Sequence, residues 1–326
     1  MRQSSVESVQ KTYVGIDLMR YIFAILIPLL HIPFGDVTAI HILQQYIARL
    51  GVPFFFAVSG FMLSRSVAAR GNRVAMVRYV KRIAFLLVVW LVIYSPLIYV
   101  GLRGKGVMYA VQSLLFLTPA YLWYLTALVV AAIPFCLIKN ERVLYISAVV
   151  LYLLGTAFGG SYTWMFGTVE IYEEIFLTTR NGIFFAFPMM CAGRWLATSD
   201  FSLSGRKRWV LLMSTVVLFW LEVFFVQKNM IPGSDCSMYF MLPIVTTVLF
   251  AAVKDVQLPF VTKWMRGASS AVYLMQFGII TVGVKALEIL RFPAQLNPWL
   301  AYLAVIVVPT VCYILLQKTK IAKLFS

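Results

Sequence analysis

Two side chains in the first apolar segment, Arg20 and His31, have the types and the spacing to do chemistry together. Moving an arginine into hydrocarbon costs about 2.5 kcal/mol or more on insertion scales, so an ionisable residue there indicates a functional site. On a helix, eleven residues at about 100° each put both side chains on one face, about 16 Å apart along the axis. A neutral imidazole that accepts a proton near pH 7 suits the activation of a hydroxyl nucleophile, which makes His31 a candidate general base.

Asp17 extends this pattern because it lies three residues before Arg20 on the same face. Arg20 could pair with this carboxylate, stabilise an oxyanion or bind a phosphate. A structural interpretation makes His31 a hydrogen-bonded group inside a helical bundle, but the face that it shares with Arg20 favours a catalytic one. The other histidine, His41, falls in an outer loop, where we expect a solvated or interfacial side chain.

The composition is that of a membrane protein. Of 326 residues, 62% are hydrophobic and 12% are charged, whereas a soluble domain carries about twice that charge. The net charge of +16 would suggest nucleic acid for a soluble protein, but the positive-inside rule explains it here, so no nucleic-acid partner is expected. The four cysteines are scattered, without a CxxC pair or histidines at zinc spacing, so no metal site is predicted.

The elements that must position these residues are apolar stretches long enough to cross a bilayer as helices of about 20 residues. They predict an all-α, polytopic transmembrane bundle of about ten membrane-spanning helices, forming a single integral-membrane domain over 1–326 without a separate soluble domain. The first stretch lacks a small-residue cleavage site and is expected to remain as a span. The predicted spans lie near 14–34, 46–64, 82–101, 120–138, 143–159, 180–198, 208–227, 237–253, 269–289 and 298–317.

Cationic loops predict the orientation of the bundle. Most of the 28 Lys and Arg residues fall on one side if the N-terminus is inside, so both termini are predicted to be cytoplasmic. Arg20 then lies toward the cytoplasmic half of the first helix, and His31 toward the outer half. Pro28 and Pro33 are expected to interrupt this helix near His31, which is tolerated where the freed carbonyls face a wet cavity or neighbouring helices.

One predicted inner loop is strongly basic. Part of this charge reflects topology and attraction to lipid phosphates, worth about 1 kcal/mol per residue. Arg78 and Arg82 fall four apart, so on a helix they would form one face that could grip a polyphosphate. The cations of this loop are Arg65, Arg70, Arg73, Arg78, Lys81 and Arg82.

Small and aromatic residues mark two further positions. Ser59 precedes Gly60 in the second span, where the lack of a Cβ permits close backbone approach, and a packing notch is the plainest interpretation. Trp123 and Tyr124 could be interfacial aromatic anchors.

Polar residues are also expected on the outer side and within the bundle. Arg180 and Asn181 precede the sixth span and supply polar groups on the outer side. Glu222 is a carboxylate deep in the seventh span, where it could pair with a cation, share a proton or face a solvent-filled interior.

Taken together, these segments resemble the acyltransferase-3 family of bacterial membrane O-acyltransferases. The similarity covers most of the chain, and ten helices match the core of that family. The segments that carry it are Asp17-Leu-Met-Arg20 followed by ten residues and His31, Gly51-Val-Pro-Phe-Phe-Phe-Ala-Val-Ser-Gly-Phe61, Arg78-Tyr-Val-Lys-Arg82, Leu122-Trp-Tyr-Leu125 and Arg180-Asn-Gly-Ile-Phe-Phe185.

The resemblance implies transfer of an acyl group, usually acetyl, from cytoplasmic acyl-CoA to a hydroxyl of an extracytoplasmic glycan or lipid-linked sugar. It places the protein in the bacterial plasma membrane, among lipids, with acyl-CoA as a co-substrate and no tightly bound cofactor. By position, His31 would be the catalytic base, with Arg20 and Asp17 beside it. The acyl-CoA phosphates would be held by Arg73, Arg78, Lys81 and Arg82. The substrate pocket would be lined by Ser59, Trp123, Tyr124, Arg180, Asn181, Glu222 and Gln276.

Two departures from the family pattern are visible. Many relatives have a histidine shortly after a tyrosine in the ninth span, where this chain has Gln276, which can hydrogen-bond but cannot exchange protons. The Arg-x-x-Arg arrangement of some relatives appears only as Arg78-x-x-Lys81 and as Arg70-Gly-Asn-Arg73. Lysine binds phosphate as a point charge, without the bidentate hydrogen bonds that an arginine guanidinium makes.

Other functions remain open at this stage. The same resemblance covers membrane domains thought to move or bind a small amino acid, as in serine-racemase-linked vancomycin-resistance proteins, which usually continue into a soluble enzyme domain. An ion-coupled transporter would use Asp17, Arg20 and Glu222 as a proton relay, although the sequence has no inverted repeat or paired broken helices. For acyl transfer, both a direct ternary reaction and an acyl-imidazole relay on His31 are open.

Overall fold

The structure is a computed structural model that describes residues 13–35, 37–117, 120–167, 174–232, 235, 237–258, 264–294 and 296–325. In these ranges the chain is helical and contains no β-strand, which confirms the all-α prediction. The α-helices are α1 Val14–Leu26, α2 Thr38–Ile42, α3 Gly51–Arg70, α4 Asn72–Leu102, α5 Val107–Gln112, α6 Trp123–Leu137, α7 Glu141–Ala157, α8 Thr163–Phe166, α9 Phe187–Thr198, α10 Gly205–Asn229, α11 Leu242–Val253, α12 Trp264–Ile289 and α13 Asn297–Leu316.

Shorter helical turns join several of these helices. They include 3₁₀ turns at Ile27–His31, Ala48–Leu50, Gly160–Tyr162 and Lys320–Leu324, and π-helical turns at Leu43–Ile47, Ser113–Leu117 and Gly182–Ala186.

In the described part of the chain, six helical stretches are long and apolar enough to cross a membrane, and a bent pair makes a seventh if it counts as one span. Large apolar side chains on the outer faces of α4, α10 and α13 are exposed, as expected where helices meet lipid. The six are Val14–His31, Thr38–Arg70, Asn72–Leu102, Gly205–Asn229, Trp264–Ile289 and Asn297–Leu316, and the bent pair is Glu141–Ala157 with Gly160–Phe166.

The predicted count of ten spans is therefore not confirmed. The predicted spans at 120–138, 180–198 and 237–253 contain α-helices of only 15, 12 and 12 residues. Hydropathy counts apolar residues in a turn as readily as those in a helix. At 120–138, for example, the first residues form a turn, and α6 begins at Trp123.

The first span is interrupted close to His31, as its prolines predicted. Helix α1 ends at Leu26, and a 3₁₀ turn with Pro28 near its start runs to His31, after which the chain becomes extended. Neighbouring segments use the carbonyls at this break. Gln44 Nε2 donates to the Leu29 carbonyl at 2.7 Å, and Tyr302 Oη donates to the Ile25 carbonyl at 3.1 Å. The break is thus held by side chains from two other elements.

Helix α3 lies at the centre of the bundle and packs most closely against α9. A Cβ added to Gly60 would lie 2.0 Å from the Met190 carbonyl oxygen, and one added to Gly193 would lie 2.0 Å from the Ala57 carbonyl oxygen. Each helix therefore places a glycine against the other's backbone. This reciprocal contact confirms that the Gly60 segment is a packing notch.

The notch leads to a prediction for a matched pair of substitutions. Gly60→Ala is expected to destabilise the protein by about 2 kcal/mol or more, because the added methyl overlaps a backbone carbonyl that cannot rotate away. Gly283→Ala in α12 makes the same chemical change with no atom within 4 Å of the new Cβ, and is expected to be neutral or slightly stabilising. Thermal unfolding of both variants in one detergent measures the difference, and equal midpoints would contradict it.

Candidate active site

Arg20 and His31 both line one cavity of about 530 Å³, which we call the His31 cavity. They come from the two parts of the broken first span, the arginine from α1 and the histidine from the 3₁₀ turn that follows it. The 3₁₀ geometry changes the angle between them from that of a straight helix, yet both still face the same space. Their predicted meeting in one pocket therefore occurs.

The His31 ring is positioned by stacking and not by a hydrogen bond. It lies parallel to Tyr121, with 3.9 Å between ring centroids and an interplanar angle of 15°. In the described part of the chain, no protein group hydrogen-bonds its ring nitrogens. The plane of the imidazole is thus fixed, while its edge stays available to a reactant in the cavity.

The partner of His31 sits on strained backbone. Ala120 and Tyr121 have φ of 63° and 59°, in the left-handed region that residues with a Cβ seldom adopt. Tyr273 Oη, from α12, donates a hydrogen bond of 2.9 Å to the Tyr121 carbonyl and holds this turn. Strain of this kind persists when surrounding contacts determine it, and here it aims an aromatic ring at the candidate base.

A second cavity of about 460 Å³, the basic cavity, lies on the other side of Arg20. Its lining includes the guanidinium side chains of Arg70, Arg78, Arg82 and Arg266. The two cavities share a wall formed by Arg20, Phe55, Tyr124, Ser270 and Tyr273. Arg20 thus stands at the junction between a cationic space and the space that holds His31.

The shared wall is polar at its centre. The Tyr124 hydroxyl lies 3.2 Å from Ser59 Oγ, which lines the basic cavity. The Arg20 Nε atom is buried and has no hydrogen-bond partner among the described residues. A buried guanidinium nitrogen is normally paired, so this donor is available to a polar group that enters either cavity.

Asp17 does not pair with Arg20 as predicted. Its carboxylate accepts two hydrogen bonds from Arg266 of α12, from Nε at 2.9 Å and from Nη2 at 2.7 Å. This bidentate geometry uses both oxygens, and a partner 249 positions away cannot be read from local spacing. Asp17 lines neither cavity, so it is placed to position Arg266 and not to contact a reactant.

The predicted phosphate-binding set is partly corrected. Arg78 and Arg82 line the basic cavity, whereas Lys81 and Arg73 do not. On helix α4, Arg73 lies about 140° around the axis from Arg78, which turns it away from the other two. Arg70 and Arg266 line the cavity in their place; sequence reasoning missed Arg266 because α12 is distant along the chain.

Asn181 is a structural residue and does not line either cavity. It is fully buried, and its Oδ1 accepts hydrogen bonds from the backbone nitrogens of Ile183 at 2.8 Å and Phe184 at 3.1 Å. Its Nδ2 donates to the Thr178 carbonyl at 2.8 Å. Its Oδ1 and Nδ2 are thus used to start the π-helical turn that leads into α9, and its place in the substrate pocket stays a prediction.

Glu222 also has a structural role. Its carboxylate accepts hydrogen bonds from the backbone nitrogens of Phe240 at 2.7 Å and Met241 at 2.8 Å, and from the Tyr162 hydroxyl. It therefore neutralises the start of α11, where a helix leaves its first N–H groups unpaired. Glu222 lines neither cavity, and its place in the substrate pocket stays a prediction. Its described hydrogen bonds reach neither Asp17 nor Arg20, so they do not form the relay of these three residues.

The remaining predicted pocket residues line a cavity. Trp123, Arg180 and Gln276 face the His31 cavity, Ser59 faces the basic cavity, and Tyr124 faces both. The Gln276 Oε1 atom is buried without a hydrogen-bond partner in the described part of the molecule. Gln276 therefore offers an unpaired acceptor in the lining of this cavity.

Sequence reasoning missed a charged group at the mouth of the His31 cavity. Arg49 and Asp235 line it together with Arg180. Arg49 Nη1 and Arg180 Nη1 donate to Ser237 Oγ at 3.0 and 3.3 Å, and Ser237 Oγ donates in turn to the Asp235 carboxylate. No local spacing predicts this cluster, since its members come from three segments that are distant along the chain.

The Asp235 carboxylate is ionised in this setting. Its partial burial raises the pKa, but the guanidinium groups of Arg180 and Arg49 and the hydrogen bonds from Ser237 and Thr178 outweigh it. The pKa of this carboxyl is therefore lowered from its usual range. Asp235 consequently carries a full negative charge near neutral pH.

Comparison with known proteins identifies the family of the chain. A family model described as an acyltransferase domain matches residues 13–317, nearly the whole chain. The chain belongs to the acyltransferase-3 family. Together with the apolar helices, membership identifies a multi-pass membrane protein of an acyltransferase family.

Curated relatives carry a different kind of name. The chain is similar to an amino-acid racemase of Enterococcus faecalis, with 30% identity over 250 residues, covering 71% of this chain and 34% of the relative. It is also similar to a serine/alanine racemase of Enterococcus gallinarum, with 27% identity over 280 residues, covering 77% and 37%. The chain thus spans little more than a third of the length of these relatives. No solved structure matches the chain significantly.

The pairing of Asp17 with Arg266 leads to a prediction about stability. Arg266→Gln leaves a buried carboxylate without its partner and is expected to cost about 2 kcal/mol, less than for a fully buried pair because Arg266 is half-exposed. The double variant Asp17→Asn/Arg266→Gln is expected to recover most of this loss. Thermal unfolding of the four proteins in a double-mutant cycle measures the coupling. A loss in the double variant equal to the sum of the two single losses would show that the two side chains are not coupled.

Proposed function

We propose that the protein is a membrane O-acyltransferase that moves an acetyl group from cytoplasmic acetyl-CoA to a hydroxyl of an extracytoplasmic or lipid-linked glycan. The donor would occupy the basic cavity and the acceptor the His31 cavity. The proposal includes the predicted topology, with ten membrane crossings, both termini in the cytoplasm and the bacterial plasma membrane as location.

One observation carries this proposal: the two cavities meet at Arg20. Besides Arg20, four arginines line the basic cavity, and they suit the phosphates of CoA because guanidinium groups bind phosphate in a forked geometry. A candidate base lies beyond the junction, in a cavity with aromatic and polar walls. Donor and acceptor could therefore enter by different routes and react at the shared wall.

The reaction follows from these positions. His31 takes the proton of the acceptor hydroxyl as its oxygen forms a bond to the thioester carbonyl carbon. Negative charge then develops on the carbonyl oxygen, where the unpaired Nε of Arg20 can stabilise it. When the carbon–sulfur bond breaks, the CoA thiolate takes the proton back from His31. The products are the acetyl ester and free CoA.

His31 is tested against the other histidine of the chain. His31→Gln is expected to lower acetyl transfer at least about 100-fold, because general base catalysis typically supplies 10²–10⁴-fold. His41→Gln is the matched control; His41 is exposed and lines neither cavity, so this variant should keep its activity. The assay follows radiolabelled acetyl from acetyl-CoA into glycans of membrane vesicles. A fully active His31→Gln protein would end the proposal.

The donor site is tested on a single helix. Arg78→Gln and Arg82→Gln are each expected to raise the KM for acetyl-CoA about tenfold, the loss of one charge-assisted phosphate contact. Lys81→Gln removes a charge between them that does not line the cavity, and its KM should stay near that of the unchanged protein. If all three variants respond alike, the basic cavity is not the CoA site.

A second function is favoured by the relatives. All three similar curated proteins are named racemases of amino acids, and this chain matches 34%, 37% and 41% of their lengths. A membrane domain of this kind could bind or carry a small amino acid such as serine. In proteoliposomes this function predicts uptake of labelled L-serine without any acetyl-CoA, whereas the acyltransferase proposal predicts no uptake.

A further inference from the structure

The described lining of the His31 cavity carries more positive than negative charge. Of its lining residues in the described ranges, Arg20, Arg49 and Arg180 are cationic and Asp235 is anionic. Asp235 Oδ2 lies 3.8 Å from Arg180 Nε, too far for a hydrogen bond. Among the described residues, one carboxylate therefore shares the cavity with three guanidinium groups, and this part of the lining carries a net positive charge.

Two of these guanidinium groups converge on one point. Arg49 and Arg180 both donate to the single hydroxyl of Ser237, at 3.0 and 3.3 Å. Two like charges this close repel each other, and a neutral hydroxyl offsets little of that repulsion. Asp235, which accepts a hydrogen bond from Ser237, supplies one of two balancing negative charges. An anion at this point would supply the other.

Unpaired buried atoms lie in the same cavity. The Nε atoms of Arg20 and Arg180 and the Oε1 atom of Gln276 are buried without hydrogen-bond partners among the described residues. Gln276 is 1% exposed, and its side chain lines the cavity. Buried polar atoms are nearly always paired in folded proteins, so two free donors and one free acceptor indicate a polar ligand.

The walls of the cavity suit a small ring or a compact polyol. The Arg180 guanidinium lies 5.0 Å from the centroid of Trp123, which fixes its head group by a cation–π contact. Tyr121 and Tyr124 add aromatic surface, and Gln44 and Gln45 add amides. A volume of about 530 Å³ lies within the usual range for small-molecule sites.

We propose that the acceptor is an anion, whose carboxylate or phosphate is bound by Arg49 and Arg180 while its hydroxyl lies at His31. This inference rests on the proposed function in that it regards the His31 cavity as the acceptor site. It narrows the acceptor to molecules that carry a hydroxyl near a negative charge, such as acidic sugars, polyol phosphates or hydroxy amino acids.

The experiment measures binding, and so it does not depend on acetyl transfer. Full-length protein in lipid nanodiscs is titrated with three pairs of probes that differ in the anionic group. The pairs are glucuronic acid and methyl glucoside, glycerol 3-phosphate and glycerol, and L-serine and L-serinamide. For at least one pair, the anionic probe is expected to bind at least tenfold more tightly. The pair with the largest ratio distinguishes acidic glycan, polyol phosphate and amino acid as the source of the anion.

Variants of the cluster should change this ratio in opposite directions. Arg49→Gln and Arg180→Gln are each expected to remove most of the preference for the anionic probe. Asp235→Asn removes the competing carboxylate and is expected to strengthen anion binding several-fold, an effect that a merely structural role would not produce. Arg103→Gln is the matched control, since Arg103 is exposed and lines neither cavity.

Equal binding of both members of every pair would overturn the inference, as would a loss of anion binding in Asp235→Asn. If Arg49→Gln and Arg180→Gln do not fold, the Asp235→Asn variant alone tests the inference, by whether its affinity for the anionic probe rises or falls. Anion binding without acetyl transfer would contradict the proposed function and leave this inference standing. Acetyl transfer to neutral and anionic acceptors at equal rates would contradict this inference and leave the proposed function standing.

Discussion

A guanidinium inside a membrane domain must be solvated by something other than lipid, and the site is organised around this requirement. Arg20 lies within the first candidate span, and the surrounding helices leave a cavity on both sides of it. That space is divided into two cavities with different linings, cationic on one side and aromatic with amides on the other. The same side chain is the boundary of both. The candidate chemistry depends on this boundary.

The break in the first span serves the same arrangement. A continuous helix would carry every backbone group in its own hydrogen bonds and present a uniform wall. The 3₁₀ turn after Leu26 ends the helix beside the cavity, and Gln44 and Tyr302 take up the carbonyls that this leaves free. Neighbouring elements therefore supply the hydrogen bonds that the interrupted helix loses. His31 consequently lies at the end of a 3₁₀ turn and not within a continuous α-helix.

Local pattern was sufficient to predict the features that depend on composition and short spacing. These features include the all-helical membrane class and the break near Pro28. They also include the shared cavity of Arg20 and His31 and the cationic face formed by Arg78 and Arg82. The failures share a cause, which is partners distant along the chain. Asp17 binds Arg266, Glu222 binds the start of α11, and Asn181 starts the turn before α9. A buried polar side chain near a functional motif looks the same in sequence whether a ligand or a backbone takes its hydrogen bonds. The count of spans depends on where helices begin, and turns rich in apolar residues obscure this.

The contact between α3 and α9 restricts how the molecule can move. Because Gly60 and Gly193 bring two backbones together without intervening side chains, neither helix can slide along the other without a collision of carbonyls. This side of the bundle therefore behaves as a fixed wall. Communication between the two cavities must arise on the opposite side, through rotation of the Arg20, Tyr124 and Tyr273 side chains or through displacement of α12. Any passage between the two cavities would then depend on side chains of α1, α6 and α12, with the α3–α9 contact as a rigid frame.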